Sequence, residues 1–158
     1  MLECEAPKGP THMPQSFVSN NIHIAFSTKG REKLIPPGRQ KKLWGYMAGI
    51  TKNLKATPMA IGGMEDHAHL RVALPSDLDI ATYVNKVKAN SSKWVNENEG
   101  GFAWQKGSGA FSVSASNLAV VTQYIETQAT HHKKMDSREE FLALLKRHGV
   151  PFDPQYVE

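Results

Sequence analysis

Two histidines separated by one alanine, His67-Ala68-His69, stand in an alternating run from Met64 to Leu74. In a strand, side chains at i and i+2 share a face. His67, His69, Arg71 and Ala73 therefore lie on one side. Ala68, Leu70, Val72 and Leu74 lie on the other, which is apolar and faces a core. Adjacent imidazoles on the non-core face of a sheet are half of a metal site. The same pair also reads as two surface histidines near a strand end. The second stretch equipped for chemistry is QYIETQATHHKK, Gln123 to Lys134. Tyr124 and Gln128 are spaced i, i+4 and so share a helix face.

The elements that must position these groups follow from periodicity. Asn21 to Ser27 alternates as a strand, with Ile22, Ile24 and Phe26 on one face. A basic loop with Lys29, Arg31 and Lys33 leads to a helix over Arg39 to Leu54, whose stripe is Leu43, Met47, Ile50 and Leu54. Pro58 to Gly63 is a second strand with Met59 and Ile61 inward, joined to the histidine strand by a hairpin around Gly62 to Asp66. Ser76 or Asp77 caps a helix reaching about Asn96, with Ile80, Val84, Val87, Ser91 and Trp94 on its apolar stripe. Phe102 to Gln105 and Ala110 to Val113 are short strands. Asn117 to about Lys133 is a helix with the stripe Leu118, Val121, Ile125 and Ala129. A last helix opens on the capping box Ser137 to Glu140 and stops at His148-Gly149. Strand, helix, strand, strand, helix, strand is the ferredoxin-like α+β pattern. It predicts an antiparallel sheet with the main helices on one face and the histidine face left open.

Composition bounds the function. The chain has 158 residues, enough for one sizeable core, with 40% apolar and 22% charged residues. Residues 1–12 read as a tag remnant or disordered tail, leaving 13–158 as a single domain. No apolar run approaches the roughly 20 residues a bilayer span needs, and no hydrophobic leader is visible. The single Cys4 leaves no internal disulfide, which fits a reducing cytoplasm. A net charge of +4 favours a polyanionic partner.

Taken together, His67-Ala68-His69 in DHAHL and Tyr124-x-x-x-Gln128 on a late helix resemble the single-tyrosine transposases of the HUH superfamily, which move bacterial insertion sequences as single strands. The likeness takes in proteins associated with repetitive extragenic palindromes. It covers most of the chain from Met13, through HIAFSTKGRE, SSKWVNE, WQKGSGAFSVS and EEFLALLKRHGVPFD. Members often carry an aromatic where Ser108 stands. The resemblance implies that His67, His69 and Gln128 hold a metal ion, that Tyr124 is the nucleophile, and that the protein works as a homodimer recognising hairpins in single-stranded DNA at element ends. It implies an enzyme of the bacterial cytoplasm, acting at the nucleoid and needing no nucleotide cofactor. A domesticated nuclease of the same chemistry has the same sequence signature.

The chemistry is coherent with the residues. A phenol of pKa near 10 is only about 0.1% ionised at pH 7 and needs help to attack a phosphodiester. Two imidazoles with oxygen ligands suit Mg²⁺ or Mn²⁺. The reaction the resemblance implies leaves a 5′-phosphotyrosine and a free 3′-OH, and a second 3′-OH then reseals the strand. Asp66 either orients an imidazole or is a turn residue. His131 is a candidate fourth ligand, and His131 and His132 also suit a polar helix end. Lys29, Arg31, Lys86, Lys88, Lys93 and Lys106 are candidate phosphate contacts. Trp94 and Trp104 either stack bases or belong to the core. A zinc hydrolase lacks the nearby glutamate of an HExxH motif. A non-catalytic nucleic-acid module on an RRM-like sheet would display aromatics where His67, His69 and Arg71 stand.

Overall fold

A computed structural model describes residues 17–128 and 135–157 of the chain. Residues 1–12, Ala129, His131 and His132 lie outside the described residues. The elements are β1 (Asn20–Ser27), α1 (Pro37–Asn53), β2 (Thr57–Met64), β3 (His67–Leu74), α2 (Ile80–Asn98), β4 (Gly109–Ser112), α3 (Leu118–Glu126) and α4 (Ser137–Arg147). The strands form one antiparallel sheet in the order β2-β3-β1-β4. This is the expected ferredoxin-like α+β arrangement.

Alternation decides which way the sheet faces. Ile22, Ile24 and Phe26 of β1 and Ala68, Leu70, Val72 and Leu74 of β3 pack with Leu43, Met47 and Ile50 of α1 and with Tyr83, Val84, Val87 and Val95 of α2. Tyr83 keeps its hydroxyl satisfied in that core by a 2.6 Å bond to Thr51 Oγ1. The three-residue offset from Val84 to Val87 and the following Ser91 and Val95 carry one face of α2 along the sheet, as the stripe predicts. Ile80 departs from it and is 36% exposed. Trp94 is half-buried against this core and stacks on Tyr46. Trp104 packs edge-on to Phe26 and Phe102 and donates to Ser91 Oγ. Both tryptophans thus serve the core.

The opposite face is not open, which corrects the sequence expectation. β1 and β4 present Ala25 and Phe111 there, and α4 covers them with Leu144 and Leu145. Beside this small apolar layer His23, His67, His69 and Arg71 are all buried. α3 comes close because Gly62 lacks a side chain: a Cβ there would lie 2.8 Å from the Ile125 carbonyl oxygen. Arg71 Nη1 also donates to Thr122 Oγ1 at 3.1 Å.

Local chemistry moves several other boundaries. Pro37 takes the first helical position of α1. Asp79, not Ser76 or Asp77, caps α2 by accepting from Thr82 N at 2.9 Å. β2 runs through Gly62 and Gly63, so only Glu65 and Asp66 form the hairpin turn. A register shift between Pro58 and Ala60 turns Met59 outward, 48% exposed, while Ile61 stays packed on the core. Proline cannot donate to the ladder, which accounts for the irregularity. The strand expected at Phe102 to Gln105 reduces to one bridge, Thr28 to Trp104. α3 ends at Glu126, because Thr127 leaves helical geometry at φ −110°, ψ 31°.

Candidate active site and metal centre

β3 supplies the centre of the site. His67 Nδ1 lies 2.7 Å from Asp66 Oδ1, so the carboxylate accepts from it and leaves Nε2 facing inward. That Nε2 meets Gln128 Oε1 at 2.9 Å and Glu140 Oε1 at 3.4 Å. His69 Nε2 lies 2.6 Å from the same Glu140 Oε1. On its far side, His69 Nδ1 lies 2.9 Å from Nε2 of His23 on β1. The antiparallel register sets this up: Ala25 faces His69, so His23 is its diagonal neighbour.

The helices supply the rest. The Tyr124 hydroxyl donates a short hydrogen bond to Glu140 Oε2. Gln128 Nε2 donates to the Tyr124 carbonyl at 3.1 Å, which turns its oxygen toward His67. Thus the i, i+4 pair stays together although Thr127 interrupts the helix. α4 is pinned at its start: Ser137 Oγ donates to Asp66 Oδ2 and accepts from Arg31 Nη1, both at 2.9 Å. Glu140, one turn later, is thereby set over the imidazoles.

The structure therefore brings His67, His69, Tyr124 and Gln128 to one place, with Asp66 both in the hairpin turn and against His67, as its two sequence readings had it. Two further members were missed. Glu140 was read as half of a capping box with Ser137. Instead Asp136 caps α4 by accepting from Glu139 N at 2.8 Å, which leaves both Ser137 and Glu140 for the site. Asp136 itself was the available signal. His23 needed only the inference that β1 pairs with β3, since it alternates with Ile22 and Ile24.

The electrostatics follow from burial and contact. Desolvation, then the neighbouring His69, lowers the pKa of His23 from 6.5 to about 3, so His23 is neutral. Burial, then the hydrogen bond and charge of Glu140, raises the Tyr124 phenol above its ordinary 10. Burial works against ionisation of Glu140, yet the bonds and charges of His69, Tyr124 and His67 outweigh it and hold the carboxyl at about 2. Donor atoms of His67, His69 and Glu140 lie within 4.8 Å of one another. All three residues are buried, with the Gln128 oxygen alongside. Two imidazoles, a carboxylate and a carboxamide are a donor set compatible with a divalent cation.

The candidate phosphate contacts divide. Lys29, Lys86, Lys93 and Lys106 are exposed. Lys88 donates to the carbonyls of Gln105 and Gly107 at 2.8 and 2.7 Å and lies over the Phe26 ring, so it braces the loop before β4. Arg31 is half-buried and tied to Ser137.

A four-stranded antiparallel sheet whose second face is closed by helices carrying a tyrosine, a glutamine and a glutamate over two histidines defines an α+β protein built around a polar centre. The family model for IS200-like transposases matches residues 16–128, and the chain belongs to that family. Among solved structures it is similar to a Deinococcus radiodurans R1 protein assigned as a transposase, at 21% identity and a TM-score of 0.59, over 75% of this chain and 98% of that one. It is also similar to a REP-associated tyrosine transposase bound to a REP hairpin, at 10% identity and a TM-score of 0.59, over 94% of this chain and 92% of that one. No match was found among curated proteins. Glu140 lies beyond the segment that the family model matches. Among the described residues no helix is long and apolar enough to cross a membrane.

Proposed function

We propose that the chain is a single-strand DNA transposase that cuts and rejoins DNA through a 5′-phosphotyrosine on Tyr124. The observation that carries this reading is the Glu140 carboxylate, which joins the Tyr124 hydroxyl to His69 with His67 beside it. In the first step the Tyr124 oxygen bonds to phosphorus, the bond from phosphorus to the 3′ oxygen breaks, and that oxygen leaves as a 3′-OH. In the second, a 3′-OH from another end attacks the phosphotyrosine and frees the phenol, so no external energy source enters.

Each residue has a distinct task. His67 and His69, with oxygens of Gln128 and Glu140, would hold Mg²⁺ or Mn²⁺. When bound, the ion would polarise the phosphoryl oxygen and steady charge on the leaving oxygen. Asp66 and His23 hold the far nitrogens of the two imidazoles, which keeps both Nε2 atoms aimed inward. Glu140 Oε2 takes the phenol proton in a hydrogen bond and fixes where the nucleophile points. The phenol lies beside His23 and His69 of its own chain.

Hairpin recognition is part of the proposal, supported by the REP hairpin held by the similar transposase. A REP-associated nuclease of identical chemistry is a second reading, supported by the near-complete coverage of both chains in that comparison. The test is a labelled single-stranded oligonucleotide carrying a hairpin and its flanks. The expected result is a covalent adduct that needs Mg²⁺ or Mn²⁺, is lost in EDTA and is absent in Tyr124→Phe. Hairpin binding without an adduct, over a broad set of end sequences, would instead indicate a non-catalytic binding module.

A further inference from the structure

Among the described residues, hollows lie on two sides of the catalytic cluster. Toward Ser27, Arg31 and Phe141 the gap against the imidazoles holds about 10 Å³, and a hollow of about 310 Å³ lined by the same three residues and by Lys106 lies beside it, without Tyr124 on its lining. Toward β4, α3 and α4 the cluster opens into a cleft of about 380 Å³, with Tyr124 and His23 on its floor. That volume is at the small end of the roughly 300–1,000 Å³ typical of pre-formed ligand sites. Its walls are apolar, from Val113, Val121 and Leu144, and Arg147 stands on its lining. At the same cleft Val120 and Met135 are 59% and 39% exposed. α3, LAVVTQYIE, opens on four apolar residues, and Ile125 is its one buried residue. Apolar surface is thus kept beside a hydroxyl donor, a carboxylate and a guanidinium.

We infer that this cleft takes one unstacked nucleobase of the DNA strand, that of a nucleotide flanking the phosphate under attack. The inference rests on the proposed strand-cleavage reading. A phosphate within reach of the Tyr124 oxygen carries a nucleoside on each side. Of these two hollows the one toward α3 and α4 has Tyr124 on its lining, so the base next to the attacked phosphate turns there. A base has apolar faces and polar edges, and the cleft matches both: valine and leucine for the faces, Asn117 and Ser112 for the edges. Arg147 suits the adjoining phosphate. A second copy of the chain would need a broad face, about 800 Å² per partner in a standard interface, rather than a pit whose floor is the nucleophile.

The experiment first captures strands from a random-sequence single-stranded oligonucleotide pool with Mn²⁺ and the wild-type chain, and sequences the adducts to locate the cut. A captured strand is then made with a tetrahydrofuran abasic nucleotide on one side or the other of that phosphate. Val121→Trp, which fills the cleft, is expected to slow adduct formation roughly ten- to hundredfold on the intact strand. It should regain most of that rate on one of the two abasic strands. Ala143→Phe fills the cleft from α4 and serves where the tryptophan variant melts below the wild type.

A filled variant as fast as the wild type on the intact strand overturns the inference. So does one equally slow on all three strands, or one whose loss tracks a changed sedimentation coefficient, which would give the cleft to a second copy. Each of these leaves the phosphotyrosine chemistry standing. A wild type that captures no strand refutes that chemistry instead. The cleft is then read from a (dT)₁₂ strand with one 2-aminopurine. An emission change with the wild type that Val121→Trp abolishes supports a base site, and equal changes overturn it.

Discussion

Replacing His23 by glutamine should make the protein less sensitive to acid. His23 is 3% exposed, and burial with the adjacent His69 brings its pKa to about 3 against 6.5 for a free imidazole. The sign follows from proton counting. Below pH 6.5 the unfolded chain takes up a proton at His23 that the folded chain refuses until about pH 3. Stability contributed by the neutral form is therefore complete above pH 6.5 and is lost as pH falls toward 3. At pH 5 the unfolded state is protonated over 1.5 pH units, worth about 2 kcal/mol at 1.36 kcal/mol per unit. Glutamine has no such titration, and its oxygen can still accept from His69 Nδ1. Urea unfolding of both proteins at pH 7.5 and pH 5 measures the effect, because every other titrating group is common to the pair. The wild type should lose about 2 kcal/mol more than His23→Gln between the two pH values. Equal losses would refute the claim that His23 is held neutral in the fold. His23→Leu, which offers His69 no acceptor, should also weaken Mn²⁺ binding about 10- to 100-fold, with His23→Gln lying between it and the wild type.

Glu140→Gln should lower Mn²⁺ affinity by roughly tenfold or more in calorimetry, since it removes the only carboxylate of the His67, His69 and Glu140 group; unchanged affinity would make Glu140 a holder of Tyr124 alone. Gly62→Ala places a Cβ 2.8 Å from the Ile125 carbonyl oxygen, so α3 must shift. The expected cost is about 1–3 kcal/mol in thermal unfolding, with slower adduct formation, and a wild-type melting temperature would contradict the close approach. Lys88→Met should cost about 1–2 kcal/mol because Nζ donates to two carbonyls. Lys86→Met and Lys93→Met should leave stability unchanged and shallow the salt dependence of single-strand binding by about one unit each if they contact phosphate.

Where one physical rule acted alone, the chain was legible. Alternation in β1 and β3 predicted both the core face and the histidine face, because a strand offers only two directions. The pair Tyr124 and Gln128 was legible from helical spacing, and stayed together through the Gln128 bond to the Tyr124 carbonyl even though the helix breaks at Thr127. Where two rules competed, the reading failed. Asp136 and Ser137 are both good caps, and choosing Ser137 hid Glu140. Met59 fits the alternation of β2, but the irregularity at Pro58 turns it outward. Lys88 looks like any cation off the apolar stripe of α2, and nothing local reveals the carbonyls of Gln105 and Gly107 that it meets. The closed second face was hidden for the same reason: α3 docks through the missing side chain at Gly62 and the buried Arg71, and α4 through Ser137 on Asp66 and Leu144 and Leu145 on the sheet.

The site is divided into a half that the sheet fixes and a half that the helices bring. His67 and His69 are locked from behind by Asp66 and His23, so their inward nitrogens are set by backbone pairing. Tyr124, Gln128 and Glu140 reach them through a few attachments: Ile125 over Gly62, Thr122 on Arg71, and Ser137 on Asp66. Glu140 stands where the halves meet, and its two oxygens do opposing things. Oε1 faces both imidazoles, the place for a cation. Oε2 holds the phenol, whose pKa burial and this same carboxylate raise. The Tyr124 phenol at rest is therefore un-ionised, and on the proposed function a carboxylate stands in the path of an anionic phosphodiester. A cation held by His67, His69 and Glu140 would remove both obstacles together, by drawing the carboxylate from the phenol and by offsetting its charge toward phosphate. On the proposed function, a chain built this way would be unreactive toward passing single strands until its cation site is filled, and metal binding would be a condition for attack as well as an aid to it.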